Sequence, residues 1–371
     1  MASRPAPSAL YAGEELLIVN KAPTITYFKR GDPARPLVVC IPGAAHLARI
    51  FYGGHDGGRS SDFLAHWLQA LGYNVLAISY PVESELALMP PSSADFTPRE
   101  WGAQAAKVTD QVVHDEALSG HVILLVWSMG GRIIQPYALA VKEYMYAIKI
   151  DCAVSLVATP PLRDALGFPG RLRASKPGYL RIAPANEEYF LTQLHQQNAR
   201  QDGRCIIPDD IYLREYVASY PSALGEPTSS RFCKERKPED GSVGSHEADE
   251  LSGFSDWPFL CAIYGDSPTD LRHSIEDKSL WGFLLSHRFL LALERQNGES
   301  LLLENQNKGK RVIQLIHQAA DRVTAALPGG HHIFVGEAGA KATANLVFQF
   351  EQQVETLRAE ISSEIEGLDI V

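Results

Sequence analysis

Val122-Ile123-Leu124-Leu125-Val126 is an unbroken apolar run of strand length, and Trp127-Ser128-Met129-Gly130-Gly131 follows it directly. A strand with no polar face must be covered on both sides, which is the condition of a central strand in a parallel sheet. Gly130 to about Ala147 then reads as a helix. The chain therefore turns from a buried strand into a helix within one tight corner, and a serine occupies that corner.

The remaining chain repeats this alternation. Leu16 to Val19 and Ile25 to Phe28 read as two early strands, Leu37 to Ile41 as a stronger one before Pro42-Gly43, and Val75 to Tyr80 as a strand stopped by Pro81. Cys152 to Val157, Phe259 to Tyr264 and Arg322 to Leu327 complete the set. Phe63 to Leu71 reads as a helix ended by Gly72, a residue suited to a left-handed C-cap. Thr97-Pro98-Arg99-Glu100 has the form of a capping box and starts a helix to about Ala117. Helices are expected at Lys278 to Arg295, Arg311 to Ala320 and Lys341 to Glu360. Strands alternating with helices predict a mostly parallel sheet flanked by helices.

From Thr159 to Asp256 the alternation breaks. Glu187 to Gln201 and Asp209 to Tyr220 look helical, and polar Lys234 to Glu250 reads as a mobile loop. This divides the chain into a core of residues 1–158 and 257–371 and an inserted, mainly helical cap of residues 159–256.

A net charge of −10 argues against non-specific nucleic-acid binding, which needs a basic surface. No apolar run approaches the ~18 residues of a membrane-spanning helix. Met1 to Pro7 lacks the hydrophobic core of a signal peptide, and Leu368 to Val371 carries no sorting signal, so a cytoplasmic location without membrane attachment is expected. The five cysteines form no CxxC pair, which gives no support to a zinc site. Cys40, Cys152 and Cys261 lie in apolar runs and are expected as reduced core residues. No phosphate-binding glycine loop or metal-ligand cluster is present, so no cofactor or metal is expected.

A serine between a buried strand and a helix is the context of a nucleophile elbow. Gly130 stands two residues after Ser128, but Val126 replaces the usual glycine two residues before it. Acyl transfer also needs two backbone N–H groups aimed at one point. Met129, next after the serine, is one candidate, and Ala44 in the Pro42-Gly43-Ala44-Ala45-His46 loop is the other. His46 is a further residue of that loop with access to substrate, or merely a solvated one. Pro328-Gly329-Gly330-His331-His332 follows the last strand, so either histidine is a candidate general base, with His331 preferred at the Gly-His junction. Asp266 and Asp270 follow the Phe259 to Tyr264 strand. Asp270 is preferred as the acid because it lies several residues beyond the strand, and Asp266 suits the turn itself. Asp321 precedes the last strand and belongs at the opposite sheet edge.

Pro42-Gly43, Ser128 in its elbow, Asp270 and Gly330-His331, in this order, resemble the α/β-hydrolase superfamily. Leu37 to Gly54, Asp62-Phe63-Leu64-Ala65-His66-Trp67 and Val126 to Arg132 look like hydrolases encoded in fungal secondary-metabolite clusters, which serve polyketide and toxin pathways. The resemblance implies a serine esterase or thioesterase acting on a small-molecule acyl substrate through a Ser-His-Asp triad. Two alternatives stay open: an acyltransferase or cyclase with the same triad, and a non-catalytic binding protein of the same fold.

Overall fold

The computed structural model describes residues 10–160, 172–176, 178–182, 184–225, 257–295 and 305–364. Strands β1 (Glu14–Val19) and β2 (Ala22–Lys29) form a hairpin. Asn20 and Lys21 both take positive φ at its tip, the geometry that matches a two-residue turn to strand twist. β3 (Leu37–Ile41), β4 (Asn74–Ser79), β5 (His121–Trp127) and β6 (Lys149–Leu156) follow.

Later in the chain come β10 (Leu260–Gly265) and β11 (Thr324–Leu327). The eight strands run in the order β1-β2-β4-β3-β5-β6-β10-β11, with antiparallel pairing only at β1–β2 and β2–β4. Residues Val122 to Trp127 of β5 are fully buried, as an apolar central strand requires. Cys40, Cys152 and Cys261 are buried free thiols in the same core, and Cys205 is free and exposed.

Helices α1 (Leu64–Ala70), α2 (Pro98–Asp115) and α3 (Ile134–Glu143) connect the early strands. Thr97 and Glu100 cap α2 reciprocally. Helix α3 is shorter than its sequence pattern. Ser128–Ile133 forms a tighter 3₁₀ turn first, and within it the backbone at Gly131 passes so close to Thr159 that a Cβ would lie 2.5 Å from its carbonyl oxygen. The late helices, α5 (Leu271–Arg295), α6 (Gln306–Arg322) and α7 (Glu337–Glu364), are longer than their apolar patterns.

Between β6 and β10, β7 (Leu172–Lys176), β8 (Tyr179–Ile182) and β9 (Tyr220–Pro221) form a small antiparallel sheet beside α4 (Pro184–Ala199). This stretch is less uniformly helical than its sequence pattern. The expected helix of 209–220 is one turn at Asp209–Ile211, a π turn at Tyr212–Tyr216, and then extended chain. The extended part bridges to the core instead: Val217 pairs with His46 and Ser219 with Glu83. Backbone groups paired across segments in this way cannot also close helical turns. Lys234 to Glu250 lies outside the described residues.

β3 and β5 are parallel neighbours, with Ile41 opposite Val126. The loops leaving their carboxyl ends therefore emerge side by side, where open α/β sheets form their ligand crevice.

Candidate active site

Ser128 has a φ of 52°, in the left-handed region that a residue with a Cβ rarely takes. Such strain persists only where the surroundings over-determine it. A Cβ on Gly43 would lie 2.6 Å from Ser128 Cβ, and one on Gly130 2.9 Å from the Ile41 carbonyl oxygen. The small residues that this corner needs are thus Gly43, Gly130 and Gly131. Val126 stays wholly buried in the strand, two residues before the serine.

His331 Nε2 is 2.9 Å from Ser128 Oγ, and His331 Nδ1 is 2.9 Å from Asp270 Oδ2. An ionised carboxylate only accepts, so Nδ1 carries the proton and Nε2 offers a lone pair to the serine hydroxyl. The main chain of His331 is clamped from two sides. Its carbonyl accepts the Trp127 indole N–H at 2.9 Å, and its N–H donates to Gln193 Oε1 at 2.8 Å. Gln193 comes from α4, and so does Tyr189, whose hydroxyl donates to Asp270 Oδ1 at 2.9 Å. Burial works against charge on Asp270, yet His331 and these hydrogen bonds hold its carboxyl well below the usual carboxylate range. Burial lowers the His331 imidazole below its ordinary value, partly offset by Asp270.

The sequence neighbours are occupied elsewhere. Asp266 Oδ1 accepts the Gly329 N–H at 2.9 Å and ties the β10 end to the histidine loop. Asp321 is exposed and pairs with Lys278 at 3.0 Å. His46, His332 and Tyr212 form one buried chain. His46 Nδ1 must donate to the Ala44 carbonyl at 2.7 Å, so its Nε2 accepts from Tyr212 OH at 2.6 Å. Tyr212 has spent its one proton, so His332 Nε2 donates to it at 3.2 Å. Burial pushes His46 down to about 3 and His332 well below its ordinary value, so both are neutral. His46 is therefore a wholly buried loop brace, neither solvated nor open to solvent-borne substrate.

The two candidate N–H donors lie in peptide planes fixed from behind. In a trans peptide the C=O and the following N–H point in opposite directions. The Ser128 carbonyl accepts the Thr159 N–H at 2.8 Å, so the Met129 N–H points the other way. The Gly43 carbonyl accepts Tyr80 OH at 2.8 Å, which turns the Ala44 N–H away from Tyr80.

Sequence reasoning missed Trp127, Tyr189, Gln193 and Tyr212 because each acts across a large separation in the chain. It also missed His273, buried four residues before Asp277 on α5. That pair bonds at 3.0 Å, which a His-x-x-x-Asp spacing on one helix face could have signalled. Asp277 raises the His273 imidazole against the opposing effect of burial. Asp270, His273 and His331 offer three potential metal-ligand atoms within 4.8 Å of one another. A cation there would have to displace the proton shared by His331 and Asp270.

No protein-family model matches the chain, and no curated protein matches it in sequence. Among solved structures, a thermophilic esterase from Thermogutta terrifontis superposes with a TM-score of 0.50 at 11% identity, over 92% of this chain and 99% of that one. A thioesterase domain from the curacin biosynthetic pathway matches with a TM-score of 0.44 at 13% identity, over 90% and 98%. Together with the strand order, the first of these shows that the chain has the α/β-hydrolase fold.

Proposed function

We propose that this protein is a serine hydrolase that cleaves an ester or thioester through an acyl-enzyme on Ser128. One observation carries the reading: two contacts of 2.9 Å link Ser128 Oγ to His331 and His331 to Asp270, with the imidazole tautomer a general base requires. In this reading His331 takes the hydroxyl proton as Oγ attacks the acyl carbon. The N–H groups of Ala44 and Met129 receive the oxyanion. His331 returns the proton to the leaving alcohol or thiol. Water, deprotonated by the same imidazole, then releases the acid from Ser128. Asp270 orients the ring and stabilises its charged form.

Residues 159–256 act in this proposal as a cap over the strand ends. The reading is supported by Phe190, whose ring centre lies 5.8 Å from that of His331 and 5.1 Å from that of His46. A small-molecule acyl substrate, a cytoplasmic location and a role in fungal secondary metabolism belong to the same proposal and rest on the sequence resemblance. Among the described residues no helix is long and apolar enough to cross a membrane.

The test is labelling with a fluorophosphonate probe, with peptide mapping of the adduct. Modification of Ser128 together with turnover of p-nitrophenyl butyrate is the expected result. A protein with neither would be a binding member of the fold.

A further inference from the structure

The loop that carries Ala44 is tied to one buried hydroxyl. Tyr80 follows β4 and is fully buried, its ring edge-on to Trp101 at 4.6 Å between centres. Its hydroxyl donates to the Gly43 carbonyl at 2.8 Å. The Gly43 carbonyl thus turns inward onto Tyr80. Ala45 takes a φ of 59° to make that turn, a conformation unfavourable for alanine and retained only under external constraint. Gly43 lies against Ser128, and the Ala44 N–H belongs to the same peptide plane as the carbonyl held by Tyr80. Rotation of that plane would remove the N–H from the serine and put a carbonyl oxygen in its place.

We propose that Tyr80 is a positioning residue for the oxyanion hole: its hydroxyl holds the Gly43–Ala44 peptide so that the Ala44 N–H faces the space beside Ser128. This rests on the serine-hydrolase reading above and adds the group that orients one oxyanion donor. Donation to the Gly43 carbonyl also polarises the amide and makes its N–H a better donor to a developing oxyanion. Tyr80 touches neither substrate nor a reacting atom, and its effect passes through the peptide.

The experiment compares Tyr80→Phe with the wild-type enzyme on p-nitrophenyl butyrate and on an aryl trifluoromethyl ketone, which forms a hemiketal oxyanion on a serine. The expected kcat loss is about 10- to 100-fold, below the ~10²–10³ seen when an oxyanion donor is deleted. KM should stay within about twofold, and ketone affinity should fall in parallel with kcat. The acid limb of kcat/KM should not move, because His331 and Asp270 keep their partners. A kcat within about twofold of wild type, or a kcat loss without loss of ketone affinity, would overturn the inference. Para-aminophenylalanine and para-fluorophenylalanine at position 80 form a second pair of similar bulk, one with a donor and one without. The donor-bearing enzyme should stay near wild type and the other should fall; equal rates would overturn the inference whether or not Tyr80→Phe folds. A wild-type protein without Ser128-dependent turnover would overturn the hydrolase reading and this inference with it. Full turnover by Tyr80→Phe in a working enzyme overturns this inference alone.

Discussion

His331 Nε2 stands 2.9 Å from Ser128 Oγ, while the adjacent His332 gives its Nε2 to Tyr212. Two consecutive histidines thus have different partners. Gly330 lies tight against α4: a Cβ there would lie 2.0 Å from Gln193 Oε1, so that side chain would have to shift.

Ser128→Ala should abolish ester hydrolysis and fluorophosphonate labelling. The loss in kcat should reach about 10³-fold or more, because Ser128 Oγ is the hydroxyl that His331 Nε2 contacts. Far-UV circular dichroism should be unchanged. Activity within about tenfold of wild type would reject the assignment.

His331→Ala should cost far more activity than His332→Ala, and Asp270→Asn far more than Asp266→Asn. Asp270→Asn leaves an amide that can present its NH₂ to Nδ1 and favour the wrong tautomer, worth up to ~10⁴-fold in kcat where this has been measured. Loss at Asp266 or His332 should instead appear in the denaturant midpoint, since both brace loops. A reversed kinetic ranking would move the base or the acid to its neighbour.

Acidification should affect rate and stability in one direction. His331 must be neutral to act, and burial holds its imidazole below the ordinary value of 6.5. The acid limb of kcat/KM should therefore lie below pH 6.5, with activity retained at mildly acidic pH and lost on further acidification. For stability, His46 titrates near 3 when folded and near 6.5 when unfolded, so the unfolded chain binds more protons between these values. Its contribution is present above the unfolded value and is lost as pH falls, by up to ~1.4 kcal/mol per pH unit. His273 has the opposite sign: its imidazole is raised, so its contribution is lost as pH rises through the folded value. His331 and His332 are lowered by burial in the same sense as His46, against the raised His273 and Asp277, so urea midpoints should decrease from pH 7 to pH 4; a flat profile would contradict neutral burial of the three lowered imidazoles.

Glu14→Ala should destabilise the fold strongly without touching the chemistry. Both side chains of the Glu14–Arg49 pair are fully buried, with Arg49 Nε and Nη2 each 2.7 Å from the carboxylate. Tyr52 OH also donates to Glu14 at 2.6 Å. Removing the acid takes away the counter-ion of a buried guanidinium and two of its hydrogen bonds, leaving Arg49 Nη1 on the Glu215 carbonyl, at a cost of about 3–5 kcal/mol. Chemical denaturation reads the loss, and kcat of the protein that remains folded should be near wild type. A shift below about 1 kcal/mol would mean that water reaches Arg49.

What the sequence determined by itself was the sheet and the order of the chemistry along it. An apolar run such as Val122 to Val126 has no stable place except between covering layers, and Ser128, Asp270 and His331 each follow a strand that periodicity makes visible. Local rules also sufficed for the Thr97–Glu100 cap, whose two partners are three residues apart. Local position favoured His331 over His332 and Asp270 over Asp266, but what holds each of the four side chains to its partner is contacts made across large separations. Trp127, Gln193 and Tyr189 orient His331 and Asp270, and Tyr212 occupies His332. The extended path of Val217 to Ser219 was invisible for the same reason: its hydrogen bonds go to the loops after β3 and β4, and a helical pattern in sequence carries no record of partners that distant.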